Sequence, residues 1–128
     1  MKKLVTLIFL LTLLVACGGP ATEAIVMDEP VPPGAEGAQV VELEFTSEKI
    51  IPETVTIPVN TKVLFVIHNT DQKLKEDHNL VAPEIGLKEI IVRPGQTVRR
   101  LWTSYGTPGT YRVGCTIHSW IDMKITVK

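Results

Sequence analysis

The residues with the most distinctive chemistry lie near the C-terminus, where Cys115, His118 and Met123 follow one another within nine residues. The chain has two further histidines, His68 and His78, and one of them would add a second imidazole to the thiolate, the imidazole and the thioether of this stretch. A trigonal His₂Cys set with a long axial methionine suits a copper ion that transfers electrons. The soft thiolate favours Cu(I) and the imidazoles suit Cu(II), so we predict one copper ion that cycles between Cu(I) and Cu(II).

Two other kinds of site use a cysteine and a histidine at the spacing of Cys115 and His118. A Cys-x-x-His pair can be half of a zinc site, but no further cysteine or spare histidine pair is available to complete a tetrahedral structural zinc. A cysteine nucleophile with a histidine base is also conceivable, but both residues lie on one strand and turn with no oxyanion motif nearby. Copper therefore remains the preferred interpretation, and we expect no enzyme activity.

The elements that position these residues are short strands. Apolar and polar residues alternate from Val41 onward, and turn signals such as Arg93-Pro-Gly-Gln96 separate the segments. No stretch after Val41 sustains a helical period, so we predict an all-β, Greek-key sandwich or barrel of seven to eight strands in residues 41–128. The predicted strands cover 41–45, 54–57, 62–67, 87–92, 97–102, 110–113 and 124–127.

The pattern Cys-x-x-His-x₄-Met, with an upstream histidine followed by asparagine, resembles the cupredoxin family of type 1 blue copper proteins. The stretches 51–57, 92–98 and 109–115 also resemble that family, and together the similarity covers residues 41–128. The resemblance implies that His78, Cys115 and His118 are the equatorial copper ligands. It also implies that Asn79 bridges to Thr116 and thereby orients the ligands.

The resemblance leaves two ligand questions with alternatives. His68 ends an apolar strand and is interpreted as a residue satisfied by water or a neighbour, which leaves His78 as the upstream ligand. Counting forward from His118 places Met123 at the axial position, as in plastocyanin-like loops. Counting back from the last strand gives the shorter, amicyanin-like loop, with Ile121 at that position and Met123 as an ordinary strand residue. Met123 is the prediction, and Ile121 is the alternative.

The first sixteen residues resemble an export signal. Lys2 and Lys3 precede a run of twelve mostly apolar residues, which is shorter than the roughly 20 that span a bilayer. The stretch Leu14-Val-Ala-Cys17 resembles the lipobox of bacterial lipoproteins. We therefore predict a signal peptide over 1–16 and a lipid on Cys17, which anchors the mature chain on the exported, extracytoplasmic or periplasmic face of a bacterial membrane. A plain secreted protein with an unmodified Cys17 is the alternative.

Residues 17–40 are predicted to be a flexible acidic tether. Residues 18–40 contain four prolines, four glycines and four acidic residues but no basic one, which is typical of a solvated segment. Ile25, Val26 and Met27 could contact the domain locally. The domain itself is balanced, with 11 basic and 10 acidic residues in 41–128, which disfavours nucleic-acid binding through a basic field.

The predicted function is one-electron transfer between membrane-associated redox proteins by a monomer, with His118 presenting its ring edge as the electron port. Pro83, Ile85, Trp120 and Ile121 could form an apolar patch around that edge for brief contacts with partners. Trp120 could instead pack inward and close the end of the barrel. The rival function is copper storage or delivery by a lipoprotein. Three histidines are too few for the additional copper sites of the enzymes that resemble this fold.

Overall fold

The structure is a computed structural model that describes Gly19 and residues 23–128. Those residues contain nine strands and one short 3₁₀ turn at Pro83–Ile85, so the all-β prediction is confirmed, with one strand more than the upper end of the predicted seven to eight. The predicted signal peptide and Cys17 lie outside the described residues. The strands are β1 Gln39–Phe45, β2 Ile50–Ile51, β3 Thr54–Ile57, β4 Lys62–Asn69, β5 His78–Ala82, β6 Leu87–Val92, β7 Thr97–Thr103, β8 Gly109–Gly114 and β9 Asp122–Val127.

The strands form two sheets, one in the order β2-β1-β4-β7 and the other in the order β3-β9-β8-β5-β6. The pairs β1–β4 and β3–β9 are parallel, and the remaining pairs are antiparallel. The sequence pattern missed β2 because two residues are too short to show alternation. It also missed β5 as a periodic strand, because its first three residues are all buried.

The core lies between the two sheets and follows from the alternation. In β1, Val41, Leu43 and Phe45 are buried, whereas Glu42 between them is exposed. The central strand β4 departs from this rule, because every residue from 63 to 67 is buried. Residues of the predicted tether lie near this sheet, since Lys62 Nζ donates to the Gly34 carbonyl oxygen at 2.9 Å.

Part of the predicted tether is held against the domain. The N-terminal strap, residues 26–29, lies along the start of β7. The Met27 carbonyl accepts from Thr97 N at 2.7 Å, and Glu29 N donates to the Thr97 carbonyl at 3.0 Å. Edge strands such as β7 have free backbone groups that a further segment can bond. Val26 is 55% exposed, so the backbone rather than the apolar side chains makes these contacts.

The topology brings the residues with metal-binding side chains to one end of the sandwich. Strand β5 starts at His78, which pairs with Val92 at the end of β6. Because β5 also runs antiparallel to β8, Cys115, just after β8, comes to the same end. Among the described residues, no helix has the length and apolar character needed to cross a membrane.

Candidate metal centre

Three of the residues that the sequence singled out converge on one point. His78 Nδ1 lies 3.9 Å from Cys115 Sγ, and His118 Nδ1 lies 3.8 Å from the same sulfur. One donor atom from each of the three residues lies within 4.8 Å of the others, and all three side chains are buried. The structure therefore brings together the equatorial set implied by the family resemblance.

The turn between β8 and β9 carries two of these side chains. Cys115 N donates to the Ile121 carbonyl oxygen at 2.9 Å, and Ile121 N donates to the His118 carbonyl oxygen at 2.9 Å. These two bonds close a short loop that folds His118 back over Cys115. The third side chain, His78, is held separately as the first residue of β5.

The Cys115 sulfur lies in a cradle of backbone amides. Asn79 N and His118 N approach Sγ at 3.5 and 3.4 Å. Both are N–H donors, and such donors stabilise negative charge on an acceptor. The Cys115 sulfur is therefore held in place by two backbone amides, in an arrangement that suits a metal ligand.

The predicted bridge between Asn79 and Thr116 is present. Asn79 Nδ2 donates to Thr116 Oγ1 at 2.7 Å, and Thr116 N donates to Asn79 Oδ1 at 2.8 Å. This pair links β5 to the loop that follows Cys115. It therefore fixes the distance between the strand that carries His78 and the loop that carries the other two side chains.

A buried carboxylate holds the far side of His78. Asp71 is 2% exposed, and its Oδ2 lies 3.0 Å from His78 Nε2. Its Oδ1 accepts from Lys73 N at 2.9 Å and Leu74 N at 2.8 Å. Burial raises the pKa of Asp71, but the hydrogen bonds from Leu74 N, His78 and Lys73 N outweigh it and lower the pKa below its usual value. The group facing His78 is therefore an ionised carboxylate.

An exposed carboxylate holds the far side of His118. Glu76 Oε2 lies 2.8 Å from His118 Nε2, and the Glu76 side chain is 58% exposed. The Trp120 ring meets the His118 ring edge-on, with centroids 5.1 Å apart. His118 is consequently only 4% exposed. The expectation that its ring edge lies open at the surface is therefore wrong, because Glu76 and Trp120 cover it.

Sequence reasoning missed both carboxylates. Asp71 and Glu76 lie between β4 and β5, in a segment without secondary structure, so no periodicity relates them to His78. The one available signal was composition, since five charged residues and one amide stand among the seven positions before His78.

The register of β8 and β9 decides between the two loop counts. Val113 pairs with Met123, and Ile121 lies across from Cys115. The structure thus follows the shorter loop, and Ile121 is the residue next to the thiol. Met123 is buried in the core within β9 and pairs with Val113, so the register favours Ile121 over Met123 at the axial position.

The predicted partner patch also needs correction. Ile85 and Ile121 are fully buried, because Ile85 packs into the core and Ile121 faces Cys115, so neither contributes to a surface. Pro83 is exposed. Trp120 is 61% exposed, which rules out inward packing at the end of the barrel. Ile117, which sequence reasoning did not select, is exposed beside it.

His68 lies apart from the three converging residues. It is half-buried in β4, and its Nδ1 lies 2.8 Å from Thr97 Oγ1. Its satisfaction by a neighbouring side chain agrees with the prediction.

The spacing of the donor atoms fits a small metal ion. Three atoms that bind one ion in a plane, each at about 2.0–2.3 Å, lie roughly 3.5–4.0 Å from one another. The two sulfur–nitrogen distances, 3.9 and 3.8 Å, fall within that range. A soft sulfur combined with two imidazoles is a donor set suited to copper.

The fold has relatives among solved structures. Auracyanin A, a blue copper protein from Chloroflexus aurantiacus, matches with a TM-score of 0.58 and 17% identity. That match covers 72% of this chain and 100% of auracyanin A. An amicyanin variant in the reduced state matches with a TM-score of 0.50 and 24% identity, over 73% of this chain and 85% of the amicyanin chain. The periplasmic domain of cytochrome oxidase subunit II from Bradyrhizobium japonicum matches with a TM-score of 0.57 and 13% identity. That match covers 70% of this chain and 83% of the domain. At these identities the similarity shows a shared fold.

Comparison at the sequence level gives the family. A search of curated proteins finds no match. The family profile of the cupredoxin-like domain, in contrast, matches residues 5–127. The chain therefore belongs to the cupredoxin-like family.

Proposed function

We propose that this protein carries single electrons through one type 1 copper ion held by His78, Cys115 and His118. The observation that carries the proposal is the convergence of one thiol and two imidazole nitrogens at buried positions. When bound there, copper would supply a one-electron Cu(I)/Cu(II) couple. The blue copper relatives with the same fold support the proposal, and we propose no enzymatic reaction for the chain.

The protein's own residues keep the site rigid. The Asn79–Thr116 pair ties the strand that carries His78 to the loop that carries Cys115. The amides at the sulfur and the carboxylates at the far histidine nitrogens restrain each ligand separately. Ligands restrained in this way move little when an electron arrives or leaves. Ile121 then forms an apolar cap beside the thiolate, so the proposed site has three protein ligands.

The proposed location is the exported face of a bacterial membrane. Related domains include a periplasmic domain of cytochrome oxidase subunit II, and the N-terminal sequence resembles that of a lipoprotein. We propose that Cys17 carries the lipid and that the partners are membrane-associated redox proteins. Exposed Trp120 and Ile117 offer a small apolar contact beside His118, which suits brief redox encounters.

The test of the copper site is a visible absorption spectrum after Cu(II) is added to the purified protein. We expect an intense blue thiolate-to-copper band that ascorbate bleaches and air or ferricyanide restores. Cys115→Ser should abolish the band, whereas the matched control Cys17→Ser should retain it. A colourless wild-type protein, or a blue Cys115→Ser variant, would disprove the proposal.

The same preparation separates electron transfer from copper storage or delivery. The ligand side chains are buried, which favours retention of the ion over rapid exchange. We therefore expect slow loss of copper to a strong chelator, over hours, together with a reversible couple in voltammetry. Rapid transfer of copper to a chelator or an apo-protein, without a reversible couple, would favour delivery instead.

The proposed anchor has its own measurement. Mass spectrometry of the mature protein should show an N-terminal Cys17 that carries diacylglycerol, and globomycin should block the cleavage. An unmodified cysteine would remove the anchor from the proposal and leave the copper site unaffected.

A further inference from the structure

Both metal-facing histidines are held from behind by a carboxylate. His78 turns Nδ1 toward Cys115 and Nε2 toward Asp71 at 3.0 Å. His118 turns Nδ1 toward the same sulfur and Nε2 toward Glu76 at 2.8 Å. The two carboxylates come from one segment, five residues apart in the sequence. The metal centre is therefore flanked by two acidic groups that are not themselves placed to bind the ion.

This arrangement selects one tautomer of each ring. An ionised carboxylate can only accept a hydrogen bond, so the nitrogen that faces it must carry the proton. Nε2 is then the N–H of both His78 and His118, and Nδ1 keeps its lone pair for a metal. A carboxylate behind a ligating imidazole also makes the ring a better electron donor.

The charge of the two groups acts in the same direction. Two negative groups near a copper ion stabilise Cu(II) more than Cu(I), because the oxidised ion has the larger positive charge. Asp71 is buried and poorly screened by water, whereas Glu76 is largely exposed and screened more strongly. The structure therefore ranks the expected influence of Asp71 above that of Glu76.

We propose that Asp71 and Glu76 are positioning residues that hold both histidines with the proton on Nε2 and lower the reduction potential of the copper. The inference rests on the proposed function, since it concerns the same site. It assigns a role to a segment, residues 71–76, that contributes no metal ligand. The loop before β5 thereby becomes a determinant of how strongly the site holds its electron.

The first measurement is the reduction potential of the copper-loaded protein and three variants. Glu76→Gln keeps a carbonyl oxygen that can accept from His118 but removes the charge. Asp71→Asn does the same for one oxygen only, and Asp77→Asn is a control that removes a neighbouring charge with no bond to a histidine. We expect Glu76→Gln to weaken Cu(II) relative to Cu(I) by about tenfold, or about 59 mV for one electron. Asp71→Asn should have a larger effect and Asp77→Asn a smaller one.

The second measurement reads the tautomers directly by ¹⁵N NMR of the imidazoles, in the diamagnetic Cu(I) protein and in the metal-free protein. We expect the Nε2–H tautomer for both rings in the wild type, and mixed tautomers of His118 in metal-free Glu76→Ala. If Asp71→Asn fails to fold, the two Glu76 variants still decide the matter.

The outcomes separate this inference from the function on which it rests. Potentials of Glu76→Gln and Asp77→Asn that shift equally, or unchanged tautomers in Glu76→Ala, would overturn the inference while a blue, reversible copper site stands. A protein that binds no copper would overturn the proposed function, and the metal-free tautomers would still report on the two carboxylates.

Discussion

The two halves of the metal centre achieve the same bonding in opposite surroundings. The His78 half belongs to the core: the histidine begins a strand, its ring stacks on Phe45 with centroids 5.0 Å apart, and Asp71 behind it is buried. The His118 half belongs to a surface loop, where Glu76 and Trp120 behind and beside the ring are mostly exposed. In each half a carboxylate meets Nε2.

This contrast indicates a division of labour. Interactions in the core contribute to folding as well as to the site, because buried polar groups that lose their partners are costly. Exposed interactions contribute little to stability. We therefore expect changes in the His78 half to lower the unfolding free energy as well as to alter redox behaviour, and changes in the His118 half to alter redox behaviour while stability is nearly unchanged.

The aromatic residues give the largest expected difference. Phe45→Ala removes a fully buried ring that packs on His78 and should cost about 3–5 kcal/mol of unfolding free energy. Trp120→Ala should change it by less than about 0.5 kcal/mol, yet slow electron self-exchange between copper-loaded molecules. Urea denaturation and NMR line broadening measure the two effects. Equal destabilisation by both variants would remove the contrast.

The carboxylates give the next difference. Asp71→Ala leaves Lys73 N and Leu74 N without an acceptor inside the protein and should lower the unfolding free energy by about 3 kcal/mol. Glu76→Ala should lower it by less than about 0.5 kcal/mol. Chemical denaturation of the metal-free proteins tests this pair. A stability loss at Glu76 as large as that at Asp71 would show that both halves belong to the core.

The two candidates for the axial position, Met123 and Ile121, test the loop side of the comparison. Met123→Leu conserves volume in the core and should cost less than about 1.5 kcal/mol, with the absorption spectrum of the copper form unchanged. Ile121→Met places a thioether opposite Cys115 and should change both the spectrum and the potential. A spectral change in Met123→Leu, with none in Ile121→Met, would return the axial role to Met123.

The smallest expected effect concerns the N-terminal strap. The hydrogen bond from Arg100 lowers the pKa of Glu29 below its usual value, assisted by Arg99 and against the opposing effect of burial. Because the folded pKa lies below the unfolded one, Glu29 stabilises the fold above the unfolded pKa, and this contribution is lost as the pH falls through the folded value. Its size should be below about 1 kcal/mol. Comparing the pH dependence of unfolding in the wild type and Glu29→Gln isolates it, and identical profiles would contradict the ion pair.

Sequence reasoning placed some residues through local spacing or strand alternation, and it placed His78 through the family resemblance. Cys115 and His118 share one tight loop, and alternation in β1 sets its buried face. Sequence reasoning did not select Asp71 and Glu76, because they lie in a segment without a strand or helix periodicity. Ile121 was assigned both to a surface patch and to an alternative axial position, and only the register of β8 with β9 separates these possibilities.

The docking of the N-terminal strap on β7 was not predicted for a different reason. Its composition is that of a solvated segment, and its apolar side chains do remain partly exposed. It is held by hydrogen bonds to the backbone of an edge strand, together with ion pairs from Asp28 to Arg99 and from Glu29 to Arg100. The backbone hydrogen bonds leave no signature in side-chain type. The content of proline, glycine and acidic residues therefore identified a segment without a core of its own. It did not indicate where that segment lies on the domain.

The position of the strap sets the largest distance between the proposed lipid anchor and the metal site. Gln96 Nε2 holds the Val26 carbonyl at 2.8 Å, in the turn that follows β6 at the His78 end of the sandwich. For a chain anchored at Cys17, as proposed, the nine residues up to Val26 reach at most about 30 Å, whereas the 22 residues up to Gln39 would reach about 75 Å. With the proposed anchor, a docked strap would confine the copper end to a shallow layer above the bilayer and would raise its local concentration at membrane-bound redox centres of similar height.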